Sequence, residues 1–159
     1  MPARSPRRAK AFTLVEILIV VIILGILAAI VIPQFANASS DARISALTTQ
    51  MQTLRGQVEM YKMQHNDRWP TSDGLVTSAW DWTKLTTATT KTGAAGGTLG
   101  PYLVQIPRNN LNNNSTLASA PAAGVGFVFD STTALLYATG TDDTKYFNES
   151  THTDQATKP

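Results

Sequence analysis

Apolar residues run almost without a break from Phe12 to Ile32, with only Thr13 and Glu16 strongly polar among them. The run matches the ~20 residues that a helix needs to cross a bilayer, so 12–33 reads as a membrane-spanning segment. Gly25 and Pro33 punctuate it; Pro33 removes one backbone donor and favours a kink or a local opening. Beyond Pro33 the pattern changes. Ile44, Leu47, Met51, Leu54, Val58 and Tyr61 recur at spacings of three and four on a polar background, which predicts an amphipathic helix within 34–67. Such a stripe can serve a coiled coil or lie under a sheet, and fewer than four full heptads favour the sheet. Gly56 weakens the helix by about 1 kcal/mol relative to Ala, which points to a close contact there. The helical pattern stops near His65-Asn66-Asp67, and Pro70 pushes Trp69 toward extended backbone.

Residues 68–124 read as a loop region. Trp80-Asp81-Trp82 offers either a stacking platform for a sugar or a cover for the core, and the core reading is preferred. The glycines at 93, 96, 97 and 100 fit neither a dinucleotide fingerprint nor a phosphate loop, so they read as a flexible connection. Asn109 to Asn114 has the composition of tight turns. Val125-Gly126-Phe127-Val128-Phe129 alternates, which places Val125, Phe127 and Phe129 on one face. Leu135-Leu136-Tyr137-Ala138 follows after a short polar break, a hairpin signal, and Lys145-Tyr146-Phe147 adds a short third strand. The sheet region is thus 125–148, and 149–159 reads as a frayed polar tail. The expected class is α+β: a long N-terminal helix, membrane half then amphipathic half, packed on a small antiparallel sheet.

Charge sharpens this picture. The chain carries 13 Lys and Arg against 11 Asp and Glu, but Arg4, Arg7, Arg8 and Lys10 all precede the apolar run. Without that 1–11 leader the side-chain balance reverses to −2. The basic character therefore belongs mostly to the leader, a cytoplasmic anchor under the positive-inside rule that puts the C-terminal domain on the other side of the membrane. No basic patch suited to nucleic acid is evident in the remainder. Cysteine is absent, which excludes disulfides, thiol catalysis and Cys-based metal sites. The only histidines are His65 and His152. His65 reads as a helix-ending cation, and no hydrolase or zinc-protease motif accompanies either. No catalytic residue is assigned, and the chain is not read as an enzyme.

One carboxylate, Glu16, remains inside the membrane run, where a charge costs about 2.5–3.5 kcal/mol on insertion scales and marks function. The sequence Ala11-Phe12-Thr13-Leu14-Val15-Glu16 after a basic leader resembles the signal of type IV pilins and of the pseudopilins of type II secretion. The later segments resemble the major, G-type pseudopilins: Tyr61, Arg68-Trp69-Pro70-Thr71, Gly74-Leu75, Pro101-Tyr102-Leu103 and Ile106-Pro107 follow that group's pattern. The usual Asp-Pro-Trp-Gly-Asn turn is replaced by Asn109 to Asn114.

The resemblance implies a structural subunit of a pilus-like filament that drives protein export. A prepilin peptidase would cut between Ala11 and Phe12 and methylate Phe12. Glu16 would neutralise a neighbour's N-terminal amine during assembly, and Gly25 and Pro33 would let the helix loosen as subunits pack. The implied partners are further copies of the chain in a helical homopolymer, the peptidase, minor pseudopilins and an inner-membrane assembly platform. The implied location is the bacterial inner membrane, single-pass, with the C-terminal domain periplasmic. The major pseudopilins also bind calcium in a C-terminal loop, for which this sequence offers Asp142 and Asp143. Two other readings stand beside this one. A type IV pilin for adhesion, motility or DNA uptake shares the signal. A secreted domain cleaved at Ala36-Asn37-Ala38 would discard Glu16, although the apolar run exceeds the usual secretory core.

Overall fold

The computed structural model describes residues 12–75 and 79–159. The leader and Ala11 lie outside the described residues. The chain divides into two compact units, Met1–Asp41 and Ala42–Pro159. A single helix, α1 (Leu14–Gln64), runs through the whole of the pattern read as two halves. Pro33 sits inside it without interrupting the helical assignment, because only one backbone donor is lost and the turns on either side keep theirs. The helix stops where Asn66 and Asp67 turn left-handed, at φ 55° and 61°. The Asp67 N–H then caps the Lys62 carbonyl at 2.9 Å, an ending of the kind expected where the chain leaves the right-handed region.

In the second unit the stripe becomes the spine of the core. Leu47, Met51, Leu54, Val58 and Tyr61 are buried, with Ile44 packed at their edge. They lie against Trp82, Leu85, Phe127, Phe129, Leu136, Ala138 and Phe147. Among the described residues Gly56 has nothing within 4 Å of the position a Cβ would take, so the close contact expected there is not made with any of them. A short helix, α2 (Thr83–Thr86), seats Leu85 in the core.

The main sheet has three strands in the order β1-β2-β3. Strand β2 (Val125–Asp130) pairs antiparallel with β3 (Leu135–Ala138), as the hairpin signal predicts. Its other edge takes β1 (Thr116–Ala118) in parallel, so the sheet is mixed rather than wholly antiparallel. Strand β1 was hidden in the presumed loop region because three residues are too few to show a period. Alternation along β2 also fails at one point. The register steps from Thr116 opposite Val125 to Leu117 opposite Phe127, leaving Gly126 as the extra residue of a bulge. A bulge reverses which face the preceding residue presents. Phe127 and Phe129 therefore enter the helix-side core, while Val125 joins Val128, Tyr137 and Tyr146 on the other face. Only glycine fits at 126, since a Cβ would overlap the Asn114 carbonyl.

Strand β4 (Tyr146–Asn148) pairs not with the main sheet but with β5 (Thr153–Gln155). A backbone bridge between Thr139 and Tyr146 and the packing of Tyr146 on Tyr137 join it to the main sheet. The tail expected to fray is thus a strand, and Lys158 beyond it bonds the buried Asp130 carboxylate at 2.6 Å. The glycine-rich stretch is likewise tied down, with Thr89 bridged to both Ala95 and Leu99.

Candidate functional site

Residues 14–32 carry the functional expectation in the first unit. Their large apolar side chains are between 50% and 82% exposed on every face of α1. A helix apolar all round belongs in lipid or among other helices, and this one is long and apolar enough to cross a membrane. Nothing among the described residues lies within 4 Å of a Cβ placed at Gly25, so no contact with them requires glycine there.

Phe12 and Thr13 precede the helix. Glu16 turns back onto Thr13: its Oε2 accepts the Thr13 N–H at 2.9 Å and the Thr13 hydroxyl at 3.0 Å. The Glu16 N–H in turn donates to Thr13 Oγ1 at 3.2 Å. This reciprocal capping box satisfies helix-terminal donors that would otherwise be orphaned in lipid. It also gives the one carboxylate of the apolar run two donors within the subunit. Thr13 has no assigned role in the sequence reading, although Thr13-Leu14-Val15-Glu16 ahead of an apolar run is the signature of such a cap. Of the residues expected to act in processing and assembly, Phe12, Glu16, Gly25 and Pro33 lie on one segment, and Ala11 is outside the described residues.

The sequence places Asp142 and Asp143 side by side, but the structure sends them to different partners. Asp142 Oδ1 accepts from the Thr144 N–H and hydroxyl at 3.1 and 2.5 Å, and its Oδ2 meets Lys145 Nζ at 2.9 Å. The Thr144 hydroxyl and then Lys145 hold its pKa down at about 2. Asp143 instead accepts from the Gly124 N–H at 2.7 Å and from Asn114 at 3.4 Å. Glu149, a few residues further on, pairs with Arg55 of α1 at 2.6 Å. Among the described residues no group of three or more His, Asp or Glu side chains could hold a metal ion. Calcium takes six to eight oxygen ligands converging on one point, and this donor set does not fit it.

The other candidates are structural. His65 is fully buried, with Nδ1 2.8 Å from the Tyr61 carbonyl and Nε2 2.8 Å from the Thr89 hydroxyl. It is a hydrogen-bonded core side chain just past the end of α1. Trp82 packs edge-on against Phe127 and donates to the Ser115 carbonyl, while Trp80 packs on Phe129. The tryptophans cover the core and form no exposed platform. Asn109 is fully buried and donates to the Gly126 and Thr139 carbonyls at 2.8 and 2.7 Å. The Asn-rich turn is therefore a polar plug at the bulge.

A helix of this kind at the N-terminus of a small α+β domain defines the pilin-like class, and residues 6–32 match the prokaryotic N-terminal methylation motif. The chain is 32% identical over 127 residues to type II secretion system core protein G of Vibrio cholerae, across 79% of this chain and 82% of that one. It belongs to the family of type II secretion system core protein G. The protein of the same name from Dickeya chrysanthemi is 37% identical over 67 residues, 42% of this chain. A fimbrial protein of Neisseria meningitidis serogroup B is 36% identical over 73 residues, 44% of this chain and 42% of that one. The matches to the Dickeya, Klebsiella pneumoniae and Pseudomonas aeruginosa proteins span 43%, 47% and 49% of those relatives, less than half their length. No solved structure matches the chain.

Proposed function

We propose that the chain is the major structural subunit of a pseudopilus, a helical filament of many copies that drives protein export in type II secretion. The observation that carries this reading is the segment 14–32, apolar on every face and bearing one carboxylate. Lipid surrounds it before assembly, and the same segment of other copies surrounds it afterwards. The longer match to the secretion-system protein, 127 residues against 73 for the fimbrial protein, favours secretion over a pilus for adhesion, motility or DNA uptake.

In this proposal the leader stays in the cytoplasm and the domain from Ala42 onward lies in the periplasm. A prepilin peptidase cuts between Ala11 and Phe12 and methylates the new terminus. The methylated amine still carries a proton, and Glu16 of an adjacent copy neutralises it. Pairing reduces the cost of holding either charge in hydrocarbon. Gly25 and Pro33 allow close approach and local loosening as copies pack. Minor pseudopilins and an inner-membrane platform are the remaining partners. The chain supplies structure, not catalysis.

The test begins with intact mass and terminal sequencing of protein from its native membrane. A methylated Phe12 start is expected, and a Ser39 start refutes the proposal. Glu16→Leu is then expected to insert normally and to lose filament formation, scored by cross-linked ladders and by secretion. Normal filaments from that variant refute the role of Glu16.

A further inference from the structure

Three carboxylates lie on or against the turn between β3 and β4, but among the described residues they do not converge on one point. Asp142 and Asp143 lie on the turn, and Asp154 of β5 reaches it from the paired strand. Asp154 Oδ2 accepts the Thr141 hydroxyl at 2.8 Å and the Asp142 N–H at 3.0 Å. Its carboxylate lies so close to Gly140 that a Cβ there would overlap it. The backbone of the turn is closed as well: the Gly140 N–H bonds the Lys145 carbonyl, and the Lys145 N–H bonds the Asp142 carbonyl, both at 3.0 Å.

Among the described residues Lys145 is the cation paired with this turn. Lys145 Nζ is 2.9 Å from Asp142 Oδ2, and Asp154 adds to the negative field that raises the lysine's pKa. Asp143 turns away to Gly124 and Asn114. Both Asp142 oxygens and one oxygen each of Asp143 and Asp154 therefore already accept from N–H, O–H or ammonium donors, and Asp143's donors lie outside the turn.

We propose that Lys145 is the resident cation of this turn, holding Asp142, whose N–H Asp154 of β5 accepts, in the place where a bound divalent ion would otherwise act. An ammonium on the chain needs no free ion to occupy its site. A metal, by contrast, stabilises only when its free concentration exceeds its Kd, and then only logarithmically. The domain then reaches full stability without calcium. This inference concerns folding and stands independently of filament assembly.

The experiment is thermal unfolding of the full-length chain in detergent micelles, followed by circular dichroism. Samples contain either a chelator or calcium raised to about 10 mM, above the roughly 1 mM Kd of weak extracellular calcium modules. Magnesium serves as the ionic control. The expected result is one midpoint, equal within about 1 °C in all three conditions. Calcium bound with that Kd would instead raise it by about 5 °C in a domain of this size. A calcium-specific rise above about 3 °C overturns the proposal. Lys145→Met is expected to lower the midpoint by a few degrees in chelator, and Lys145→Arg to restore it. An unchanged midpoint for Lys145→Met in chelator also overturns the proposal, because the lysine would then close nothing.

Discussion

Removing the ammonium of Lys158 should loosen the C-terminal end of the domain by an amount the structure allows to be worked out. Asp130 ends β2 and is 5% exposed. Its Oδ2 accepts from Lys158 Nζ at 2.6 Å and the Thr133 hydroxyl at 2.7 Å, and its Oδ1 from the Thr132 N–H at 3.0 Å. Lys158→Met deletes the one charged donor and leaves a desolvated carboxylate with two neutral ones. A hydrogen bond to a charged group contributes about 1.5–3 kcal/mol, and the 42% exposure of the lysine side chain moves the estimate to its lower end. A loss of about 1–2 kcal/mol is expected.

The assay is urea unfolding of the full-length chain in micelles, with Asp130→Asn and the double variant completing a cycle. The coupling energy should be about 1 kcal/mol. The pH dependence supplies an independent check. Lys158 first, then Thr133 and Thr132, hold the Asp130 carboxyl well below the usual carboxylate range. A depressed folded pKa means that the stabilisation is complete above the unfolded value of about 3.9 and is lost as pH falls toward the folded one. Lys158→Met raises the folded pKa toward the unfolded value, so it should lose less stability on acidification than the parent chain, and Asp130→Asn should lose none through this position. A coupling energy below about 0.3 kcal/mol, within ordinary additivity error, would refute the account and return the tail to a frayed end.

Other expectations follow from single contacts. Phe127→Ala empties a site with no exposure beneath Trp82; a loss of about 3–5 kcal/mol is expected in the same urea assay. Asn109→Ala removes the amide that serves the Gly126 and Thr139 carbonyls. It should cost about 2–4 kcal/mol, and Asn109→Asp should not restore it, because a carboxylate cannot donate. Thr13→Val breaks the capping box and should weaken the helix start by about 1 kcal/mol. Faster amide exchange confined to the first turn of α1, read by NMR in micelles, would show this, and Thr13→Ser should reverse it.

Much of this protein was legible before any coordinates. The extent of the apolar run, the stripe from Ile44 to Tyr61, the hairpin of β2 and β3 and the motif from Ala11 to Glu16 are all local patterns. Each is set by side-chain period or by a contiguous string of residues, and no distant contact is needed to read it. The Thr13–Glu16 cap was equally local.

What tertiary structure alone decided involves residues far apart in the chain. The pairing of β1 with β2, the bulge at Gly126 and the burial of Asn109 all depend on the approach of the Asn-rich turn, whose composition suggests only a surface loop. His65 is polar in sequence but buried by Tyr61 and Thr89, the latter 24 residues away. Lys158 and Asp130 are 28 residues apart, and no spacing rule links them. The same holds for the acidic pair. Adjacent aspartates invite a metal, yet a turn that points Asp142 at Lys145 and Asp143 at Gly124 separates their charges. Period and composition report how one segment meets an average interior or solvent. Which polar group meets which depends on packing between segments, and that packing is settled only when the chain closes on itself.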